Sequence, residues 1–206
     1  MDASLYLTAF VTLFVVIDPI GLAPIFIALT PGQSGAQRRR IGARALVIAA
    51  ILLTLFGLTG DAILSAIGIS ISAFRIAGGL LLFLTALDML FERRTERREG
   101  QAEGEDHAHD PSVFPLAMPL LAGPGALATM ILLVGDNQGP AHVLMVHLVM
   151  LVVLGICMVL FVLATPLARA LGRTGVMVVT RLLGMLLAAL SVQFVIDGLQ
   201  GSGLFP

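Results

Sequence analysis

Charged residues are scarce in this chain. Of its 206 residues, 12% are charged and 58% are hydrophobic, and the mean hydropathy is +1.01. Soluble domains carry about 25% charged residues, so this composition excludes an ordinary soluble domain. Its apolar residues come in long blocks, and about 18 or more such residues can cross the ~30 Å hydrocarbon core as a helix. We therefore expect an all-α, polytopic membrane protein that has the lipid bilayer as its solvent.

The chain also has only one cysteine, and its N-terminus has no basic region. Cys157 is the single cysteine and lies in an apolar run, which excludes a disulfide framework and is typical of a small buried hydrophobe. The first residues, "MDASLYLTAF", lack the basic region of a signal peptide, and no A-x-A-like site follows. The first apolar block is therefore predicted to remain as a membrane span.

Six helical spans can be read from the apolar blocks. They cover residues 5–29, 41–60, 74–90, 113–134, 143–166 and 181–199. The segment 92–111 between spans three and four is charged and contains too few apolar residues to be buried. It is therefore predicted to be a cytoplasmic linker. The chain 1–206 is thus one membrane domain, with halves 4–91 and 112–200 on either side of this linker.

The arginines predict the orientation of these spans. All twelve basic residues are arginine, and eleven fall on the side of the membrane opposite the N-terminus, leaving Arg75 on the other side. The eleven are Arg38, Arg39, Arg40, Arg44, Arg93, Arg94, Arg97, Arg98, Arg169, Arg173 and Arg181. Short loops rich in Lys and Arg stay in the cytoplasm, so both termini are predicted to face outward from a bacterial inner membrane.

The two halves resemble each other. Span three reads "FRIAGGLLLFLTALDML" and span six "TRLLGMLLAALSVQFVIDGL", and the triplets "AIG" and "ALG" precede them. A shift of 105 residues takes Pro19 to Pro124, and a shift of 106 takes Arg75 to Arg181. Because each half has three spans, such a repeat would be inverted in the membrane, which is typical of secondary transporters.

Spans one and four are each interrupted by helix-breaking residues, in "VVIDPIGLAPIFIAL" and "MPLLAGPGA". Unpaired backbone groups inside a membrane are tolerated only where they line a cavity or meet a ligand. Freed carbonyls, expected near residues 14–20, suit a cation or an ammonium, and freed amides near residues 21–23 suit a carboxylate. The candidate substrate-binding residues are Asp18, Pro19, Gly21, Pro24, Pro119, Gly123, Pro124 and Gly125.

Asp18 is the strongest single candidate for a functional role. Placing a carboxylate within a membrane span costs free energy, and such residues usually mark a functional site. It could bind a substrate ammonium, carry a coupling proton or contribute to a Na⁺ site. It could equally cap a half-helix that starts at Pro19, since Asp is a good N-cap and Pro a good first helical residue. These roles are compatible, and the sequence leaves them open.

Other polar and small residues have more ordinary interpretations. Arg75 and Arg181 open their spans, where they can anchor at an interface or form structural ion pairs. The small residues Gly78, Gly79 and Gly184 favour close helix packing. Polar residues within spans, such as Thr85, usually make interhelical hydrogen bonds, while Asp88 and Asp197 lie near span ends and are expected to reach the interface.

Metal binding and catalysis find little support. The linker run "EDHAHD" contains metal-ligand residue types, but its composition is typical of a solvated acidic segment. His142 and His147 are five residues apart, so they do not lie on the same face of a helix. No span contains a spacing such as H-E-x-x-H, and Asp18 has no second carboxylate deep in a span. We therefore expect no enzyme activity, cofactor, metal site or nucleic-acid partner.

Three segments resemble the signature segments of the MarC family, also called the neutral amino acid transporter family. These are "LFVVIDPIGLAPIFIALT", "FRIAGGLLLFLTALDML" and "FPLAMPLLAGPGALATMILL", and the resemblance covers nearly the whole chain except the linker. Members are small six-span inner-membrane proteins of bacteria and archaea, and a few resemble transporters of glycine, alanine and similar amino acids. The family motifs fall on the eight candidate residues of spans one and four.

The leading hypothesis is thus a secondary transporter of small neutral amino acids, working by alternating access around spans one and four, with H⁺ or Na⁺ as a coupling ion. The alternatives are an exporter of another small metabolite or drug, and a membrane scaffold or regulator that transports nothing.

Overall fold

The chain forms a bundle of helices. The computed structural model describes residues 3–93, 98, 110–137 and 139–203, and within these ranges every regular element is helical. The elements are α1 (Ala3–Ile17), α2 (Pro19–Ala28), α3 (Gly35–Ala66), α4 (Ile71–Leu90), α5 (Ser112–Leu121), α6 (Pro124–Gly135), α7 (Pro140–Val162) and α8 (Ala164–Gly201). The all-α class predicted from the hydropathy is confirmed.

Within the described residues, five stretches are long and apolar enough to cross a membrane, and a sixth is formed if the bent pair α5–α6 counts as one span. The half-helices α1 and α2 together make the first span, over Ser4–Ala28. In its most apolar stretch 67% of residues are buried, against 22–33% in the other four spans. The first span therefore lies at the centre of the bundle, while the other four present most of their surface to lipid.

Helix boundaries depart from the hydropathy blocks at two places. The helix α3 runs for 32 residues, from Gly35 to Ala66, and so extends past both ends of the predicted second span. The helix α8 begins at Ala164, inside the predicted fifth span, and runs through residues 167–180, where a loop was expected. Helix ends follow caps and backbone geometry, which hydropathy does not report. The start of α3 is set by a capping box between Ser34 and Gln37, and α8 is broken within its length at Gly172, whose φ is +60°.

Spans one and four are both interrupted, as the sequence predicted. Asp18 separates α1 from α2 with a left-handed backbone (φ 57°, ψ 65°). In α5 the two residues that precede prolines, Phe114 and Met118, are extended, because a following proline disfavours helical dihedrals. The α5 segment also contains wide turns, such as Ala122 N–H donating to the Ala117 carbonyl at 2.8 Å, and it meets α6 at 57°.

The largest helix–helix contact joins α4 to α8. It depends on glycine: a Cβ at Gly79 would lie 2.8 Å from the carbonyl oxygen of Ser191, and one at Gly184 would lie 2.9 Å from the Cβ of Met89. The preceding residue of α4, Gly78, faces Leu132 of α6 instead, where a Cβ would lie 3.0 Å from a leucine methyl carbon. Small residues thus let α4 pack closely against both α8 and α6.

Ion pairs join the ends of several helices. Arg75 of α4 pairs with Asp136 after α6, and Arg181 of α8 pairs with Glu92 after α4 at 2.7 Å. At the start of α5, Asp110 accepts hydrogen bonds from the hydroxyl (2.6 Å) and N–H (3.0 Å) of Ser112 and also pairs with Arg44. The Ser112 hydrogen bonds, and then Arg44, lower the pKa of Asp110. These contacts join α4, α5 and α6 to neighbouring segments at the ends of the helices.

Positions that correspond in the two sequence halves have related local geometry. Pro19 and Pro124 are each the first residue of the half-helix that follows a break. Gly68 and Gly172, which end the triplets "AIG" and "ALG", both have positive φ, of +78° and +60°. The inverted relation between the halves remains a prediction.

Candidate functional site

A cavity of about 400 Å³ opens beside the break in span four. Its walls come from α4, from the junction of α5 and α6, from the end of α1 and from one linker residue. The lining residues are Val16, Leu81, Leu84, Thr85, Asp88, Arg98, Pro119, Leu120, Leu121, Gly123, Pro124, Gly125 and Ala126. Most of this wall is apolar or backbone, and its charged side chains are Asp88 and Arg98.

The candidate residues of the second half all reach this cavity, since Pro119, Gly123, Pro124 and Gly125 line it. Those of the first half are not among the lining residues. Asp18, Pro19 and Gly21 are buried behind the cavity, and Pro24 is half-buried further along α2. The two breaks therefore differ in their surroundings: one opens into a cavity, and the other is packed in the core.

The N-terminus of α6 faces the cavity without a side-chain cap. Gly123 is its N-cap residue, and a Cβ there would lie 2.5 Å from the carbonyl oxygen of Pro119, so only glycine fits. Within α6 the i→i−4 bonds begin with Leu127 N–H to the Gly123 carbonyl at 3.0 Å. The amides of Gly125 and Ala126 precede that bond at the cavity wall, and they form the positive end of the helix dipole.

The N-terminus of α2, in contrast, is capped by the chain itself. The Oδ1 atom of Asp18 accepts a hydrogen bond from the Gly21 N–H at 3.0 Å, and Asp18 is 1% exposed. The contact needs glycine at position 21, because a Cβ would lie 2.2 Å from the Oδ2 atom of Asp18. Asp18 is thus the N-cap residue of α2 and Pro19 is its first helical residue, which is one of the roles that the sequence allowed.

Arg98 of the linker enters the core and meets this carboxylate. Its Nη1 donates to Oδ2 of Asp18 and its Nη2 donates to the carbonyl of Ile17, both at 3.2 Å. Arg98 is 5% exposed. The expectation that the linker cannot bury itself is therefore wrong for this residue. A buried carboxylate requires a partner of opposite charge, and that requirement outweighs the polar composition of the linker.

The backbone groups predicted to be free near the first break are largely used. The Asp18 N–H donates to the Phe14 carbonyl at 2.9 Å, and the Leu22 N–H donates to the Asp18 carbonyl at 3.0 Å. The Ile17 carbonyl and the Gly21 N–H are taken by Arg98 and Asp18. The left-handed residue restores the helical path after the break, so the prediction of ligand-binding backbone near residues 14–23 is wrong at these groups.

Asp88 and Thr85 are cavity residues that the sequence analysis assigned elsewhere. They lie on α4 with Leu81 and Leu84, at the i, i+3, i+4 and i+7 spacing of one helical face. The Thr85 hydroxyl donates to the Leu81 carbonyl at 3.0 Å, within its own helix. The position of Thr85 and Asp88 on one face of an apolar span is the sequence signal that could have indicated a polar cavity. Taken alone, Asp88 indicated only a carboxylate at the membrane interface.

The weaker sequence candidates lie away from this site. His142 contacts the Leu133 carbonyl at 2.8 Å and the Tyr6 hydroxyl at 3.3 Å, and His147 contacts the Val143 carbonyl at 2.7 Å. Of the run "EDHAHD", residues 105–109 lie outside the described residues. In the part of the chain that the structure describes, no three His, Cys, Asp or Glu side chains come together as a metal site.

Comparison with known proteins gives one consistent family. Residues 3–202 match the family described as MarC family integral membrane protein. A UPF0056 membrane protein of Archaeoglobus fulgidus is 41% identical over 197 residues, covering 95% of this chain and 92% of that protein. The UPF0056 membrane protein YhcE of Escherichia coli is 36% identical over 208 residues, with coverage of 100% and 95%.

A third relative, the UPF0056 membrane protein MJ1677 of Methanocaldococcus jannaschii, is 34% identical over 203 residues, covering 98% of this chain and 99% of that protein. These relatives are named as membrane proteins, without an activity. No solved structure matches the chain. The family match over residues 3–202 and the identities of 34–41% show that the chain is a multi-pass integral membrane protein of the MarC family.

Proposed function

We propose that the chain is a secondary transporter of small neutral amino acids, and that it binds its substrate in the cavity beside the broken fourth span. The observation that carries the proposal is a cavity at a helix break within the bundle whose wall holds both a guanidinium, from Arg98, and a carboxylate, from Asp88. A zwitterion carries the two complementary charges on adjacent carbons. The uncapped amides of α6 add a further partner for its carboxylate.

The size of the cavity favours a small substrate. Its volume of about 400 Å³ is near the lower end of the ~300–1,000 Å³ range of ligand pockets. Apolar side chains such as Leu81 and Leu84 leave an apolar wall for the substrate's side chain. Together, these features suit glycine, alanine or serine better than a bulky or charged amino acid.

The proposed mechanism is alternating access between two inverted halves. Membrane transporters built this way place the substrate at discontinuous helices between the repeats, which corresponds to the α5–α6 break here. The related geometry of Pro19 with Pro124, and of Gly68 with Gly172, supports the two-half relation. The arginine distribution supports a cytoplasmic linker with both termini outside, in the inner membrane of a bacterial cell.

Ligand-dependent stabilisation tests the proposal directly. A protein gains stability from a ligand that binds its folded state, so glycine, alanine or serine should raise the melting temperature of the detergent-solubilised protein. Glutamate, lysine and tryptophan should not, because of their charge or bulk. Proteoliposomes should then exchange labelled glycine or alanine across the membrane.

Three outcomes separate the alternatives. Stabilisation by another metabolite or a drug, with no response to amino acids, would indicate the exporter hypothesis. Response to no small molecule would favour a scaffold or regulator. Folded protein in proteoliposomes that exchanges no amino acid would contradict the proposed function.

Substrate size should be sensitive to position 125. A Cβ at Gly125 would lie 3.3 Å from methyl carbons of Leu82 and Val16, and 3.9 Å from the Thr85 hydroxyl, so alanine narrows the cavity with small adjustments of these side chains. We expect Gly125→Ala to weaken alanine and serine binding about 10-fold, and glycine binding less, since one methylene in a pocket changes selectivity by roughly 10–200-fold. Calorimetric titration of the three amino acids measures this.

The matched control is Gly155→Ala in α7, where nothing lies within 4 Å of the built Cβ. It should leave all three affinities unchanged. Equal weakening of glycine, alanine and serine by Gly125→Ala would mean that position 125 does not limit substrate size.

A further inference from the structure

We propose that a second, smaller pocket, at the end of the bundle where α4 leads into the linker, binds the headgroup phosphate of an anionic phospholipid. This pocket has a volume of about 130 Å³ and shares no lining residue with the cavity beside span four. The proposal therefore does not depend on the transport function.

The position of the pocket places it at the surface of the bilayer. Its walls come from the end of α2, the start of α3, the end of α7 and the start of α8. These helix ends lie on the side of the membrane that the arginine distribution predicts to be cytoplasmic. Basic pockets between membrane helices on that side are a known type of binding site for the headgroups of anionic lipids.

Part of the pocket wall is apolar. The ring of Phe26, from α2, stacks on the ring of Phe161, from α7, with 4.4 Å between their centroids. Val162 is the next residue of this wall and is 49% exposed. An acyl chain that lies along the span can cover this apolar surface and so remove it from contact with water. A soluble anion has no apolar part to place there, so the wall favours a lipid.

The polar part of the wall contains the guanidinium of Arg38. Its Nε and Nη2 donate to the Thr30 carbonyl at 3.3 and 3.1 Å, and its Nη1 donates to the Thr165 hydroxyl at 3.4 Å. These bonds fix the half-buried side chain between α3 and the start of α8. Each Nη atom carries a second N–H. A guanidinium held in this way can present two parallel donors to two phosphate oxygens.

Arg39 adds a second positive charge to the pocket, and its side chain is exposed. Among the described residues, no carboxylate forms an ion pair with Arg38 or Arg39. The stretches 19–60 and 137–180, which supply the walls, contain no Asp or Glu at all. The same stretches contain Arg38, Arg39, Arg40, Arg44, Arg169 and Arg173. An anionic headgroup would supply the negative charge that these walls lack.

Lipid binding by the detergent-solubilised protein tests the proposal. Native mass spectrometry should show phosphatidylglycerol bound at least about 10-fold more tightly than phosphatidylcholine, whose choline offsets the charge of its phosphate. Arg39→Gln removes a pocket charge and should lower the affinity for phosphatidylglycerol about 10-fold, the usual effect of losing a charged hydrogen bond. The matched control is Arg40→Gln, at an exposed neighbour that does not line the pocket. It should lower this affinity by about 2-fold at most, through the surface charge alone.

Gly35→Asp blocks the pocket while keeping every arginine. A Cβ at Gly35 would lie 3.8 Å from Nη1 of Arg39, with no other atom within 4 Å outside the helix backbone, so an aspartate there fits and brings its carboxylate beside the guanidinium. Position 35 is also the first residue of α3, where a negative charge is favourable, and it is four residues before Arg39. This variant should be at least as stable as the original protein and should lose about 10-fold in phosphatidylglycerol affinity.

Three results would overturn the proposal. Equal losses from Arg39→Gln and Arg40→Gln would show diffuse attraction of the lipid to an arginine-rich surface. Equal binding of phosphatidylglycerol and phosphatidylcholine by the original protein would show that the pocket does not select an anionic headgroup. Displacement of phosphatidylglycerol by inorganic phosphate at matching concentrations would show a site for a soluble anion, in which the apolar wall contributes nothing.

Discussion

Asp18→Asn is expected to lower the free energy of unfolding by about 3–5 kcal/mol, the usual cost of removing one member of a buried ion pair. Asparagine caps a helix about as well as aspartate, so the hydrogen bond from the Gly21 N–H can persist. The loss arises at Arg98, whose side chain is 6% exposed and would lose its ion pair with the Asp18 carboxylate. Thermal or SDS-induced unfolding in detergent measures the change.

A double-mutant cycle isolates the pair from other effects. Arg98→Met should destabilise to a similar extent, because it leaves Asp18 as the buried charge. The double variant should lose much less than the sum of the two single losses, since neither charge is then buried alone. Additive losses, or a fully stable Asp18→Asn protein, would show that the ion pair contributes nothing to the fold.

The same variant separates a structural role for Asp18 from a coupling role. If Asp18 carries a coupling proton or holds Na⁺, Asp18→Asn should abolish accumulation of amino acid against a gradient while exchange survives. Destabilisation without loss of gradient-driven accumulation in the remaining folded protein would assign Asp18 to the ion pair alone.

Gly79→Ala is expected to destabilise the protein by about 1–3 kcal/mol, the cost of overpacking a close-packed interface. The added Cβ would lie 2.8 Å from the Ser191 carbonyl oxygen and 2.8 Å from Cγ2 of Val195. A backbone oxygen cannot rotate away as a side chain can, so α4 must move from α8. Because α4 carries Thr85 and Asp88, glycine binding should weaken as well.

Gly155→Ala in α7 is the matched control, since it adds the same methyl group to a helix with nothing within 4 Å. It should be neutral or stabilising by up to about 1 kcal/mol, because alanine has the higher helix propensity. Similar stability of the two variants in the same unfolding assay would contradict close backbone packing between α4 and α8.

Several features of the protein follow from local sequence. Long apolar blocks determine helices across the bilayer, because a membrane leaves no other partner for the backbone of a spanning segment. The breaks also follow from local sequence. Pro19 lacks an amide hydrogen, and Pro115 and Pro119 disfavour helical dihedrals in the residues that precede them. On this basis the sequence could indicate the break in span four, whose residues from Pro119 to Gly125 include four that line the cavity.

Tertiary structure alone decided what each break faces. The Asp18–Arg98 pair joins residues 80 positions apart, and no pattern of a few residues reports such a contact. By composition the linker belonged in water, but the energy of burying Asp18 requires a cation, and the path of the chain brings Arg98 to it. Asp88 is a second example. Its position near the end of a span predicted a side chain at the membrane interface, whereas the packing of α4 against α6 puts it in the cavity wall. Hydropathy and helix breakers act over one or two turns, whereas the pairing of buried charges depends on distances that only the packed helices determine.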